Sequence, residues 1–350
     1  MNHELHYERV RIAAWGYELP PHVIASEDLE DRLKPLYAAL RLKPGQLEAL
    51  TGIAERRWWD PGFAMAEGAT RAGQKALAQT GTPARDVQML VYAGVCRDHL
   101  EPATACAVAH ELGLPHSALV YDVSNACLGV LNGMVQVADA IELGRIRAGM
   151  VVSCESARSI VELTLARLNA QPTMDNFKRC VATLTGGSGA VAVVLRAIDP
   201  RDPCPRLLGG VVRNAVVHHG LCRWGTDTDN PAQGTMRMDT DALGVLENGV
   251  ALGRAAYHDF VRAMPWDGRE PDRVVCHQVG ATHQATVLEA IGIPREKDFT
   301  TFADLGNIGT VSLPITAAIA AQRGVLKPGQ RVGFFGIGSG LNCILMGIEW

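Results

Sequence analysis

At 350 residues the chain has room for two domains or one duplicated one, and with 47% apolar residues it can bury a large core. A net charge of −4 with no basic run argues against nucleic acid as a partner, and the absence of any run of about eighteen apolar residues argues against a membrane span. The nine cysteines, an odd number without a CxxC pair, read as reduced thiols of a cytoplasmic protein rather than a disulfide frame or a zinc site. The polar start, Met1 to Arg9, predicts no secretory signal.

The predicted elements alternate. Val10 to Ala14 reads as a strand. Ser26 is placed to cap a helix with Glu27 and Asp28 in its first turn, running to about Leu40. A short helix then leads to Thr51-Gly-Ile-Ala-Glu-Arg-Arg-Trp-Trp59, and Ala66 to Gln79 is Ala-rich and helical. A strand over 87–93, a helix over 102–112 and a strand over 118–123 follow. Apolar residues at Leu128, Leu131, Val135, Ala138 and Ile141 predict a helix that stops at Gly144. A strand over 148–153, a polar helical excursion from about Ser156 to Arg179 and a strand over 190–195 complete the first half. The second half predicts helices over 244–263, 282–290 and 311–323, with strands over 273–276, 333–335 and 342–346.

Two stretches recur in the same order. Gly187-Ser-Gly-Ala-Val-Ala-Val-Val-Leu195 lines up with Gly338-Ser-Gly-Leu-Asn-Cys-Ile-Leu-Met346, and Asp86-Val-Gln-Met-Leu-Val91 with Asp272-Arg-Val-Val275. This implies two similar α/β halves, divided at about 1–200 and 201–350, with parallel-rich sheets and helices on their faces.

Cys127 sits in Asp122-Val-Ser-Asn-Ala-Cys-Leu-Gly129, between a strand and a helix. A thiol there meets unpaired N–H groups and the positive helix end, about half a unit charge, and both favour the nucleophilic thiolate. By position alone it reads equally as a buried core cysteine. His277 ends a strand in Val274-Val-Cys-His-Gln-Val-Gly280, and Asn307 lies in Asp304-Leu-Gly-Asn-Ile-Gly-Thr-Val-Ser-Leu-Pro314. Singly, the histidine reads as a core residue and the asparagine as a turn residue. Strand ends of α/β sheets are nonetheless where ligands bind.

Together, Asn-Ala-Cys-Leu-Gly, His-Gln-Val and Gly-Asn-Ile-Gly-Thr-Val-Ser-Leu-Pro resemble, in this order, the Cys-His-Asn motifs of thiolase-superfamily condensing enzymes of the β-ketoacyl-ACP synthase III type. Thr51-Gly-Ile-Ala-Glu-Arg-Arg57 and Gly336-Ile-Gly-Ser-Gly-Leu341 carry the same resemblance, which spans essentially the whole chain. His-Gln-Val stands where the fatty-acid enzymes usually have His-Gln-Ala-Asn, and Gly-Asn-Ile-Gly-Thr where they have Gly-Asn-Thr-Ser-Ala. These departures, with Arg97-Asp-His-Leu-Glu-Pro-Ala-Thr104, resemble the branch that condenses two fatty acyl-CoA molecules head to head in long-chain olefin biosynthesis.

The resemblance implies a duplicated thiolase fold, five layers α/β/α/β/α with two mixed sheets, in a homodimer. It implies that Cys127 carries the first acyl chain and that His277 and Asn307 stabilise an enolate. Backbone N–H groups at Cys127 and in the Ser339–Gly340 loop would stabilise the tetrahedral intermediate. A simple acyl-CoA, unlike a malonyl group, yields an enolate only by losing a proton to a base. The resemblance assigns that role to Glu101, reaching in from the neighbouring subunit, although an acidic residue before a proline at a helix start also reads as a helix-dipole partner. Arg56, Arg57 and Trp58, with Trp59, read either as contacts to coenzyme A or as a surface turn. Coenzyme A thioesters are substrates here; no further cofactor and no metal site are expected, because His218-His219 lacks companion ligands. Enzymes that process β-keto acids are the expected downstream partners. Priming by malonyl-ACP is the alternative activity, and a non-catalytic acyl-binding subunit the alternative of another class.

Overall fold

The computed structural model describes residues 3–199, 203–227 and 234–350. In the first half, β1 (His3–His6), β2 (Val10–Glu18) and β3 (His22–Ala25) precede α1 (Ser26–Arg32), α2 (Lys34–Leu40) and α3 (Gln46–Thr51). There follow β4 (Glu55–Trp58), α4 (Met65–Thr80), β5 (Met89–Ala93), α5 (Thr104–Leu112), β6 (Leu119–Val123) and α6 (Gly129–Glu142). The half closes with β7 (Ala148–Glu155), α7 (Arg158–Ala170), α8 (Met174–Cys180) and β8 (Gly189–Ala197). The second half opens with β9 (Arg206–Asn214), β10 (Cys222–Thr226), β11 (Met236–Thr240), α9 (Ala242–Ala263), β12 (Arg273–Cys276) and α10 (Ala281–Ile291). It ends with α11 (Phe302–Leu305), α12 (Ser312–Gln322), β13 (Arg331–Gly338) and β14 (Asn342–Glu349).

The main strands run β12-β13-β14-β9-β2-β8-β7-β5-β6, and β1 lies antiparallel on β9. The sequence repeat falls on equivalent strands. β8 and β14 each follow a Gly-Ser-Gly turn and run antiparallel to their neighbours β7 and β13. β5 and β12 each pair in parallel with β7 and β13. Two mixed sheets are present, as expected, β2-β8-β7-β5-β6 and β12-β13-β14-β9-β1. They join in one ten-stranded ladder through a single pair, Arg11↔Arg206, because β1 occupies the rest of that edge of β9.

Five layers result. α6 and α12 lie between the halves and share one core with residues from both, including Leu131, Met134, Val193, Ile315, Ala318 and Phe334. α12 is buried from Ser312 to Ala320, which only an almost wholly apolar helix tolerates. α4 and α5 cover one outer face against Leu90, Met150, Ala192 and Val194, and Phe260 of α9 with Leu288 of α10 covers the other.

Several expectations are corrected. The helix from Ser26 breaks at Leu33, since Pro35 supplies no N–H to continue it. Ala25 is its cap residue; Asp28 accepts from Ala25 N at 2.8 Å, while Ser26 Oγ instead donates to Ile53 O at 2.5 Å. The helix expected from Pro102 starts at Thr104, where Asp122 accepts from two backbone amides. β9 is hidden in the sequence by Gly209-Gly210. A Cβ at Gly209 would stand 2.0 Å from Leu5 O and one at Gly210 2.1 Å from Leu345 O, so the glycines let β1 and β14 close in on both sides.

Candidate active site

Cys127 stands on a tight connection between β6 and α6. The preceding residue, Ala126, has φ 44°, a left-handed conformation that non-glycine residues adopt only when their surroundings impose it. The surroundings here are specific. Asn342 Nδ2 donates to Asn125 Oδ1 at 3.0 Å, and Asn125 Nδ2 donates to Asn132 Oδ1 at 2.7 Å. Val130 N donates to Thr310 Oγ1 at 2.7 Å, which ties the start of α6 to the second half. A Cβ at Gly338 would stand 3.3 Å from Cys127 N and 3.2 Å from Leu128 Cγ, so a side chain there would press on the cysteine turn.

A cavity of about 440 Å³ opens on Cys127 and is also lined by Glu155, Cys222, Asn307, Gly309 and Ser339. The thiol is held by competing effects. Burial, then the neighbouring Cys222 and Glu155, push it up to about 12; the backbone amides of Cys127 and Ser339 pull the other way. The expected lowering by the helix end does not win, because desolvation of the thiolate outweighs a helix that begins two residues later.

Asn307 is fixed by backbone on both sides. Its N donates to Thr185 O at 2.9 Å, and its O accepts from Gly187 N at 3.0 Å. Its Oδ1 accepts from Gly309 N at 3.1 Å, which leaves the Nδ2 hydrogens as the donors available to the cavity. His277 follows β12, with its N donating to Phe335 O at 2.9 Å. It is 6% exposed and lines a smaller cavity of about 40 Å³ with Tyr257, His283 and Ile337, not the Cys127 cavity. Burial, with His283 beside it, lowers its pKa to about 3, so the imidazole is neutral near pH 7.

The 3-oxoacyl-[acyl-carrier-protein] synthase III C-terminal model matches residues 262–350, and the thiolase N-terminal model matches 63–185. An acyl-CoA:acyl-CoA alkyltransferase of Shewanella oneidensis is 50% identical over 98% of this chain and 99% of its own length. The chain belongs to the acyl-CoA:acyl-CoA alkyltransferase family. Among solved structures, a cysteine-to-serine variant of Xanthomonas campestris OleA with bound lauric acid and lauroyl-CoA matches at TM-score 0.91 and 35% identity, covering 98% of this chain and 100% of that one. The synthase III FabH of Xanthomonas oryzae matches at TM-score 0.91 and 36% identity, covering 99% and 100%.

The other family positions fall in different places. Glu101 is exposed, on the loop between β5 and α5, and does not line the Cys127 cavity of its own chain. Its neighbour Leu100 is 98% exposed. Gly340, φ 140°, is part of the turn that brings Asn342 against Asn125; Ser339, not Gly340, lines the cavity.

Arg56 and Trp58 are corrected from coenzyme contacts to internal struts. Arg56 is 0% exposed; its guanidinium donates to Ser26 Oγ at 3.0 Å, Ile24 O at 3.3 Å and Leu184 O at 3.4 Å. Trp58 is buried and donates from Nε1 to Gly186 O at 3.3 Å. Arg57, half-buried on β4, donates to Pro20 O at 3.4 Å. The pairing of β4 with β3 turns this stretch inward, which local sequence does not reveal. Glu155, at the end of β7, is a cavity residue that the sequence reading missed, since a lone glutamate closing an apolar strand carries no motif. Among the described residues no group of three or more His, Cys, Asp or Glu is arranged to hold a metal ion.

Proposed function

We propose that this protein joins two fatty acyl-CoA molecules head to head by a non-decarboxylative Claisen condensation. The reading is carried by Cys127, Asn307 and the Ser339 amide around one cavity, in a chain half identical to an acyl-CoA:acyl-CoA alkyltransferase. Cys127 attacks the first thioester carbonyl, coenzyme A leaves as the thiol, and the acyl group stays on sulfur. The N–H groups of Cys127 and Ser339 face the sulfur and are the donors for the transient oxyanion. The second acyl-CoA loses an α-proton to Glu101 of the partner subunit. Its enolate oxygen is held by Asn307 Nδ2, which lines the Cys127 cavity; the family resemblance adds the neutral His277, which in this structure lines the smaller cavity instead. The enolate carbon then attacks the acyl-Cys127 carbonyl, the sulfur departs, and hydrolysis of the remaining thioester gives a β-keto acid. That product loses CO2 unaided, so enzymes that consume β-keto acids are its natural partners.

A second cavity, about 850 Å³, lies outside the first and shares Arg223 with it. Its lining balances Lys178, Arg179 and Arg223 with Asp175, Asp239 and Asp241, beside apolar Leu50 and Leu243; Arg223, shared with the Cys127 cavity, is the cation we assign to a coenzyme phosphate. Two substitutions separate this cleft from the struts it replaces. Arg223→Glu is expected to raise KM for acyl-CoA about tenfold with an unchanged Tm, as the loss of one ion pair to phosphate implies. Arg56→Ala should do the reverse, lowering stability by roughly 2–4 kcal/mol by emptying a hydrogen-bonded buried site while KM stays put. Thermal melts and steady-state kinetics on both variants check this.

We place the protein in the cytoplasm, a reading supported by the free cysteines of the described residues, and read it as a homodimer because Glu101 acts as the base only from a partner subunit; no described helix is long and apolar enough to cross a membrane. The function is tested by supplying acyl-CoA alone against acyl-CoA with malonyl-ACP. The expected result is a β-keto acid and two coenzyme A molecules per product from acyl-CoA alone. Product only with malonyl-ACP, accompanied by CO2, would establish the synthase III reaction instead. No coenzyme A release in either mixture would leave an acyl-binding subunit.

A further inference from the structure

The loop that carries Glu101 is braced by three carboxylates, each of which accepts hydrogen bonds from two successive backbone amides. Glu155 takes Val95 N on Oε1 at 2.9 Å and Cys96 N on Oε2 at 3.1 Å. Asp98 reaches from the loop to the start of α4, where it takes Met65 N at 2.6 Å and Ala66 N at 2.8 Å. Asp122, on β6, takes Thr104 N and Ala105 N, both at 2.9 Å, and so fixes the far end of the loop on α5. Between these anchors, His99, Leu100, Glu101 and Pro102 are all exposed. An exposed tip on a triply anchored base is a rigid finger, not a slack loop, because the anchors restrict the backbone at both ends.

Glu155 differs from the other two anchors. It is 5% exposed, and it lines the Cys127 cavity of its own chain. Burial raises its pKa against the pull of the amides it accepts from. It also lies against the Asn307 turn: a Cβ on Gly309 would stand 3.5 Å from Glu155 Cγ. Tyr92 OH completes the base of the finger, its one hydrogen lying between Cys96 O at 2.6 Å and Cys154 O at 2.9 Å. One side chain therefore touches the wall of this subunit's own site and the root of the finger that leaves it.

We infer that Glu155, with Asp98, is a positioning residue for proton abstraction, acting through the Val95–Glu101 finger to set the base in the partner subunit's site. This rests on the assignment of Glu101 as that base. The two sites of a dimer are then linked physically, since the wall of one cavity carries the root of the finger that completes the other.

The test uses the full-length enzyme in three variants, Asp98→Asn, Glu155→Gln and Glu101→Ala. For each, acylation of Cys127 is read by intact-protein mass, condensation by β-keto product, and finger order by hydrogen exchange of a peptide spanning 92–98, which holds the bonded amides of Val95 and Cys96. Asp98→Asn lies outside the cavity and should acylate at the parental rate, lose at least tenfold in condensation, and exchange at least tenfold faster in that peptide. Glu155→Gln should still form the acyl-enzyme and show the same two losses. Parental condensation in Asp98→Asn despite a loosened finger would overturn the inference, as would parental exchange in both variants. If Glu155→Gln fails to fold, by circular dichroism, Asp98→Asn decides alone. If Glu101→Ala condenses normally, the base assignment falls; faster exchange with slowed condensation in Asp98→Asn would then still assign the finger a positioning role without that base.

Discussion

Cys127→Ala is expected to abolish acyl transfer, by about 10⁴-fold or more, while the fold stays intact. Alanine removes only the sulfur, so the asparagine clamp at Asn125, Asn132 and Asn342 and the packing of α6 are untouched. The measurement is the mass of the protein after exposure to acyl-CoA, which should rise by one acyl group in the parent and not in the variant. A variant that still forms β-keto product would end the covalent mechanism. The parent carries its own pH signature. With the thiol pushed up to about 12, thiolate is the minor form at neutral pH. Alkylation of Cys127 by iodoacetamide should therefore rise about tenfold per pH unit and show no plateau below about pH 10, as the thiolate fraction grows on approach to the pKa. A plateau near neutrality would mean that the thiol is activated in the free enzyme. The absence of one means that the resting thiol is mostly protonated, which protects the nucleophile from adventitious oxidation.

Glu101→Ala is expected to slow condensation by about 10²- to 10⁴-fold and leave acylation of Cys127 intact, the signature of a lost general base. Geometry adds a sharper expectation. Glu101 is exposed and absent from its own chain's Cys127 cavity, so the proposed base role requires it to act on another subunit's substrate. Mixed dimers of Cys127→Ala and Glu101→Ala chains should then recover activity that neither homodimer has, since one site of the hybrid pairs an intact cysteine with an intact glutamate. If the base acted within its own chain, every site in the hybrid would be broken. Product from the hybrids settles which chain supplies the base, and silent hybrids would sink the assignment in trans.

The strongly periodic elements are legible locally. α4, α6, α9 and α12 fall within a few residues of their expected places, and β12 spans Arg273–Cys276 as expected. Elements without a local signal are not. β10 and β11 pair with each other away from the main sheet, and β9 hides behind the glycines that admit its neighbours. The Arg56–Trp58 stretch misleads for a related reason. Two arginines beside two tryptophans read as a surface for an anionic aromatic ligand, yet alternation on β4 buries Arg56 and Trp58 together. Glu155 is invisible in the sequence because its partners, the amides of Val95 and Cys96, are supplied by a loop about sixty residues away.

What the sequence determined by itself is the chemistry available: a cysteine at a strand-to-helix junction, a histidine at a strand end and an asparagine between glycines, in two halves that repeat. Those follow from residue type and local spacing, which act within a turn or two of chain. The tertiary structure alone decided how that chemistry is disposed. It desolvates the thiol so strongly that the helix end is overridden, puts Asn307 but not His277 on the Cys127 cavity, and sends Glu101 outward on a braced finger. Desolvation, cavity shape and exposure all depend on segments distant in sequence, and no local pattern encodes them.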